Sequence, residues 1–168
     1  PDKRIICAAP AYLERYGTPK SLADLDHHNC LSAGAQDVWR LEGADGQERL
    51  RLKGNIRSNS AEFVRDAMLA GLGIGLRSTW DIGPELKNGD LTIVLPQYRG
   101  SSNVAVYAVY PCREFMPAKV NALIEYLAEL YGNEPYWDKE LDAGKSPVPV
   151  APARVAKAAK ASVSAAAR

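Results

Sequence analysis

The alternation of apolar and polar positions divides the chain into short strands and helices that follow one another. Residues 4–9 read as a buried strand stopped by Pro10, and residues 11–16 as one or two helical turns closed by Gly17 in a left-handed cap. Ser21, as N-cap, and Asp24, in the first turn, start a second small helix, and residues 29–33 form a short strand. Residues 38–41 and 48–52 alternate around Asp45-Gly46, a hairpin signal, and residues 53–58 continue as a strand. Asn59-Ser60-Ala61-Glu62 has the form of a capping box, opening a helix with Phe63, Ala67 and Ala70 on one face and its end at Gly71.

Beyond it lie a strand at 74–76, a short irregular helix at 79–86, a strand at 91–95 and the most β-rich stretch of the chain at 103–110. Pro117 occupies the first position of the clearest helix. There Val120, Leu123, Ile124, Leu127, Leu130 and Tyr131 keep amphipathic spacing, and Gly132 caps the end. Strands alternating with helices predict an α/β sheet sandwich.

Composition adds three constraints. With 168 residues, 46% hydrophobic and 24% charged, the chain has the balance and length of one globular domain. No apolar run approaches the ~18–20 residues that cross a bilayer, and no export signal is visible. The start inside a strand, without an initiator Met, reads as that of a fragment. From Ala143 onward there are five basic residues and no acidic one, leaving 16 basic against 20 acidic residues in the body, a net of −4. A mildly acidic body is a poor match for a phosphate backbone, so this chain is not expected to bind DNA by itself. Residues 142–168, rich in Ala, Pro and Lys, carry no periodic large apolar positions and predict a flexible tail.

Candidate chemistry is sparse. Gly71-x-Gly73-x-Gly75 closes a helix and opens a strand, the reverse of the order in which a glycine loop cradles phosphate, so no cofactor is expected. Cys7, Cys30 and Cys112 are odd in number and far apart, and no metal spacing links them to histidine; reduced cysteines in a cytoplasmic protein are the expectation. His27, His28 and Cys30 lack an accompanying nucleophile motif, so structural histidines are favoured over a hydrolytic centre. The helix start at Asn59 is more informative. A helix N-terminus beyond the carboxyl end of a strand offers free N–H groups to a small anion, and Ser58, Asn59 and Ser60 add hydroxyl and amide groups.

An ordered series of segments then resembles a known family. It runs through residues 4–13, Gly17-x-Pro19, Leu22-x-Asp24-Leu25, His28-x-Cys30-Leu31, Trp39 with Gly43 and Gly46, and Ser58-Asn59. It continues through residues 67–75, Leu86-x-x-Gly89-x-Leu91, Val94-Leu95-Pro96, residues 106–111, Pro117-x-Lys119-Val120 and Pro135-x-Trp137-Asp138. Residues 4–138 thus resemble the effector-binding domain of LysR-type transcriptional regulators. The resemblance implies an α/β, periplasmic-binding-protein-like (type II) lobed domain, here mainly the second lobe with the C-terminal helix of the first. Residues 1–110 would be the second lobe and its connecting strands, 111–141 the helix packing on a first lobe absent from this chain, and 142–168 the tail.

The same resemblance implies a cleft lined by Ser32, Ala33 and Gly34, by Ser58, Asn59, Ser60, Ala61 and Phe63, and by Arg77, Ser78, Thr79 and Trp80. It implies a small anionic or polar effector, promoter DNA bound through a winged helix-turn-helix outside this chain, and a homodimer or homotetramer with no membrane association. Catalytic residues and metals are not required. A periplasmic-type solute-binding protein is the alternative reading, and an enzyme using His28 or Cys30 a third.

Overall fold

The computed structural model describes residues 2–34, 37–101, 107, 109, 117–132 and 137–138. The described strands form a mixed sheet: β1 Arg4–Ala8, β2 Cys30–Ala33, β3 Val38–Gly43, β4 Gly46–Arg51, β5 Arg57–Ser58, β6 Ile74–Ser78, β7 Thr92–Ile93 and β8 Arg99–Gly100. Their order across the sheet is β4-β3-β8-β1-β6-β2-β5, with β7 pairing β1. β1 runs antiparallel to β6, whereas β2 runs parallel to both β5 and β6. The helices are α1 Pro10–Tyr16, α2 Ala61–Leu69, α3 Thr79–Asn88 and α4 Ala118–Tyr131, with a 3-10 turn at Ala23–His27.

Alternate residues of β1 and β6 face opposite layers, as the two-residue period of a strand requires. Ile6, Ala8, Ile74 and Leu76 pack with Tyr12, Leu25, Trp39 and Leu41 on one face. Cys7 and Leu31 pack with Val64, Ala67, Met68 and Ile82 of α2 and α3 on the other. The glycines between α2 and β6 serve this packing. A Cβ on Gly75 would stand 2.3 Å from Met68 Sδ, and one on Gly73 2.3 Å from the Asn29 carbonyl oxygen.

Several expectations are corrected. Gly17 has positive φ, but its ψ of 161° is extended, not left-handed helical. The hairpin turns at residues 44–45, with Gly46 already paired to Gly43, so the turn sits one residue earlier than Asp45-Gly46. Residues 53–58 are not one strand: only Arg57–Ser58 is. Before it the backbone crosses so near the Cys30 carbonyl that a Cβ on Gly54 would stand 2.0 Å from that oxygen. The strand at 91–95 shortens to Thr92–Ile93, and two residues on Leu95 takes a φ of 50° ahead of Pro96.

The helices depart from expectation too. The cap of α2 is Ser60 rather than Asn59, and the buried face is Val64, Ala67 and Met68, with Phe63 and Ala70 exposed. α3 is regular and longer than expected, running through Pro84 to a left-handed cap at Gly89. At α4 Pro117 is the N-cap, not the first helical residue. α4 has no buried residue: Val120, Ile124 and Leu127 are half-buried, and Leu123, Leu130 and Tyr131 are exposed. Of the β-rich 103–110 stretch only Tyr107 and Val109 are described, both exposed; the rest of it and the 142–168 tail lie outside the described residues.

Candidate effector site

Parallel pairing places three chain ends on one edge of the sheet. Ala33 is level with Ser58, and the Leu31–Gly75 register carries β2 and β6 toward the same edge. The three predicted segments therefore share it. Ser32 is buried with its N–H donated to the Ile56 carbonyl, Ala33 ends β2, and Gly34 donates its N–H to the Ser58 carbonyl at 2.7 Å.

From Ser58 the chain turns directly into α2. The Ser58 hydroxyl accepts the Ser60 N–H at 3.1 Å, and the Ser60 hydroxyl accepts the Phe63 N–H at 3.2 Å. The Ser60 carbonyl accepts the Val64 N–H, so the first-turn N–H groups of Ala61 and Glu62 have no acceptor within the helix. Asn59, Ser60, Ala61 and Phe63 are exposed at this turn. Trp80, on the first turn of α3, is also exposed. The edge thus combines a helix N-terminus, short polar side chains and two exposed aromatic rings, which suits a small anion with an apolar portion.

The third segment is differently engaged. Arg77 is buried and donates from Nε to Asp81 Oδ2 at 2.9 Å, while Arg65 of α2 reaches Asp81 Oδ1 at 3.5 Å. Asp81 therefore ties β6, α2 and α3 together. The Ser78 hydroxyl donates to Asp2 Oδ2 at 2.7 Å, and the buried Thr79 hydroxyl donates to Asp138 Oδ1 at 2.7 Å. Sequence reasoning missed Asp81 although it stands four residues after Arg77, and it missed Arg65, Asp2 and Asp138 because their partners are distant along the chain. It also missed the Arg57–Asp37 ion pair beside Ser58.

The His28 and Cys30 region has other work. The Tyr12 hydroxyl accepts the Asn29 N–H at 3.0 Å and lies 3.2 Å from His28 Nδ1. Desolvation holds His28 below its ordinary pKa, with Asp24 opposing and His27 adding to the effect. Burial pushes the Cys30 thiol up to about 12, so it is no nucleophile at neutral pH. Cys7 is likewise pushed up to about 12 by burial. Among the described residues no group of three His, Cys, Asp or Glu side chains could hold a metal ion, and no helix is long and apolar enough to cross a membrane.

Comparison with known proteins gives a consistent result. A family model described as the LysR substrate binding domain matches residues 1–132. The HTH-type transcriptional activator TtdR of Escherichia coli (strain K12) is 40% identical over 131 residues, covering 76% of this chain and 42% of that protein. The HTH-type transcriptional regulator DmlR of the same strain is 37% identical over 132 residues, with the same coverage of 76% and 42%. The chain thus spans 42% of the length of these relatives. Among solved structures, the regulatory domain of AphB in Vibrio vulnificus superposes with a TM-score of 0.62 at 27% identity, over 76% of this chain and 64% of that one. The regulatory domain of CrgA, a LysR-type transcriptional regulator from Neisseria meningitidis, shares the fold, with a TM-score of 0.58 at 21% identity over the same 76% and 64%. The mixed sheet with helices on both faces is of the periplasmic-binding-protein-like type II fold.

Proposed function

This chain belongs to the LysR substrate-binding domain family, and from that membership we propose that it is the effector-sensing part of a transcriptional regulator. A small anionic or polar effector binds at the edge where β2, β5 and β6 end, against the N-terminus of α2. Ser58, Asn59, Ser60 and Ala61 supply polar groups, and Phe63 and Trp80 supply apolar walls. The carrying observation is the junction of Gly34 and Ser58, which sets the β2 exit against the α2 start with its first-turn N–H groups outside the helix's own bonding.

Residues 1–110 act as the second lobe and 111–141 supply a helix that packs on a first lobe outside this chain. The exposed Leu123, Tyr126 and Leu130 of α4 support that assignment, because an apolar helix face in water lacks the burial that stabilises it. Residues 142–168 form the tail. Effector binding shifts the angle between lobes by its differential affinity for two states. A dimer or tetramer transmits the shift to promoter DNA through a winged helix-turn-helix elsewhere in the protein. The protein works in the cytoplasm, unattached to membrane and without a cofactor, and it is not an enzyme. The curated relatives reported above are regulators of transcription, and nothing favours the solute-binding alternative.

Calorimetric titration of a panel of mono- and dicarboxylates into the full-length protein tests the reading. We expect saturable binding that is lost when Ser58, Asn59, Ser60 and Trp80 are replaced together by alanine. Binding that survives those changes removes these residues from the site.

A further inference from the structure

We infer that Trp137-Asp138 is an internal latch: a carboxylate of the chain itself occupies the polar turn at the start of α3 and pins the segment that follows α4. Four observations meet there. Asp138 is buried and accepts the Thr79 hydroxyl at 2.7 Å, with Lys3 Nζ 3.6 Å from its other oxygen. The Thr79 N–H goes to the Lys3 carbonyl, which fixes the base of β1 against the same residue. The Trp137 ring packs on Tyr131, the last residue of α4, at 5.4 Å between centroids. The Trp137 carbonyl also lies beside α3, where a Cβ on Gly83 would stand at ordinary contact distance, 4.0 Å from its oxygen.

Charge explains why the latch sits here. Ser78 is the N-cap of α3 and Thr79 its first residue, so the partial positive end of a ten-residue helix faces this corner. Asp2 on Ser78 and Asp138 on Thr79 bring two carboxylates to it. A buried carboxylate is tolerated only when hydrogen-bonded or paired, and Asp138 has both kinds of partner. α2 differs: among the described residues, its first turn carries the Ser60 cap and the Glu62 carboxylate, both from its own sequence. The two helix starts on this sheet edge therefore divide the work. That of α2 is open to an effector, and that of α3 holds the chain.

The latch joins the end of α4 to β1 and α3. Its regulatory consequence rests on the lobe assignment proposed above: if α4 rides on the first lobe, Asp138 restrains the angle between lobes. The restraint itself does not depend on any effector.

The test uses the full-length protein with Cys112 replaced by Ser and spin labels attached at Arg49→Cys and Glu125→Cys, both exposed positions. Loss of a hydrogen bond to a charged group should raise the undocked population about tenfold, read as a broadened distance distribution in Asp138→Ala. Thr79→Val, which removes the hydroxyl and keeps the volume, should broaden it in the same direction, and Asp138→Asn should lie between Asp138→Ala and the unaltered protein. An unchanged distribution in folded Thr79→Val and Asp138→Ala overturns the latch. So does fast hydrogen exchange at Trp137 and Asp138 in the unaltered protein, which needs no variant to fold. Broadening without any carboxylate binding keeps the latch and removes the effector reading instead.

Discussion

Gly34 donates its backbone N–H to the Ser58 carbonyl at 2.7 Å, in a conformation with φ of 78°. That bond holds the exit of β2 against the entry to α2, and the positive φ is what aims it. Among the described residues no atom stands within 4 Å of a Cβ built there, so a substitution would meet strain rather than collision. Gly34→Ala should therefore cost about 1–2 kcal/mol of stability through backbone strain. It should also weaken carboxylate binding by moving the Ser58 turn. Thermal unfolding and titration of the same sample read the two effects. An unchanged melting temperature would mean that the turn relaxes into another conformation.

Ser60 and Asn59 separate capping from recognition. Ser60 caps α2 through Phe63, so Ser60→Ala should cost about 1 kcal/mol, and Ser60→Asp should restore most of it. Asn59 is exposed and is not the cap, so Asn59→Ala should leave the unfolding midpoint nearly unchanged. If Asn59 serves the effector, the same variant should bind carboxylates more weakly. A large loss of stability in Asn59→Ala would show that the capping assignment is wrong.

How much of this was legible in the sequence follows the range of the forces involved. The strand at Arg4–Ala8, the hairpin and α4 were legible because apolar periodicity and local turn chemistry fix them. The buried face of α2 was misread. Phe63 and Val64 are adjacent, both suit a helix face with Ala67, and only packing in the layer with Cys7, Leu31 and Ile82 favours Val64. The cap moved from Asn59 to Ser60 because both are good caps one residue apart. The partners of Ser78 and Thr79 were invisible, since Asp2 and Asp138 stand 76 and 59 residues away along the chain. Spacing rules reach one turn or one hairpin, not a contact made by tertiary folding.

Two glycines should respond differently to the same added methyl group. At Gly75 the obstacle is the Met68 side chain, which has rotamers to yield with, so Gly75→Ala should cost about 1–3 kcal/mol. At Gly73 the obstacle is the Asn29 backbone carbonyl, whose oxygen accepts the Ile74 N–H and cannot step aside without losing it. Gly73→Ala should be the more damaging, by denaturant midpoint, and Met68→Ala should partly rescue Gly75→Ala alone. Equal losses at both positions would contradict this packing.

His28 gives the fold a mild sensitivity to acid. Its pKa is held below the ordinary 6.5, chiefly by desolvation, so the folded state favours the neutral ring more than the unfolded chain does. The sign follows from linkage: the contribution is fully present above pH 6.5 and is lost as pH falls through the lowered folded value. Stability should therefore decline as pH falls below 6.5 and through the lowered folded value. His28→Gln, which cannot take up the proton, should flatten the decline in a series of chemical denaturations. A slope that is the same in both proteins would place the sensitivity elsewhere.

The thiols supply a kinetic test of the core. Cys7 lies under α2 and donates weakly to the Gly75 carbonyl, and Cys30 donates to that of Leu25; burial pushes both up to about 12. At pH 8 the thiolate fraction of each is on the order of one in ten thousand, against roughly a quarter for a free cysteine. Accessibility falls as well, because both side chains are shut inside the two core layers. Iodoacetamide should thus leave Cys7 and Cys30 unmodified in the native protein over times that label an unfolded control completely, as read by mass spectrometry of the separated peptides. Labelling should accelerate with denaturant in step with global unfolding, because Cys30 and Cys7 lie in the two core clusters packed on either face of the sheet. Rapid labelling of Cys7 under native conditions would mean that α2 lifts from the sheet on its own, and the α2 start could then not be a preformed edge for an effector.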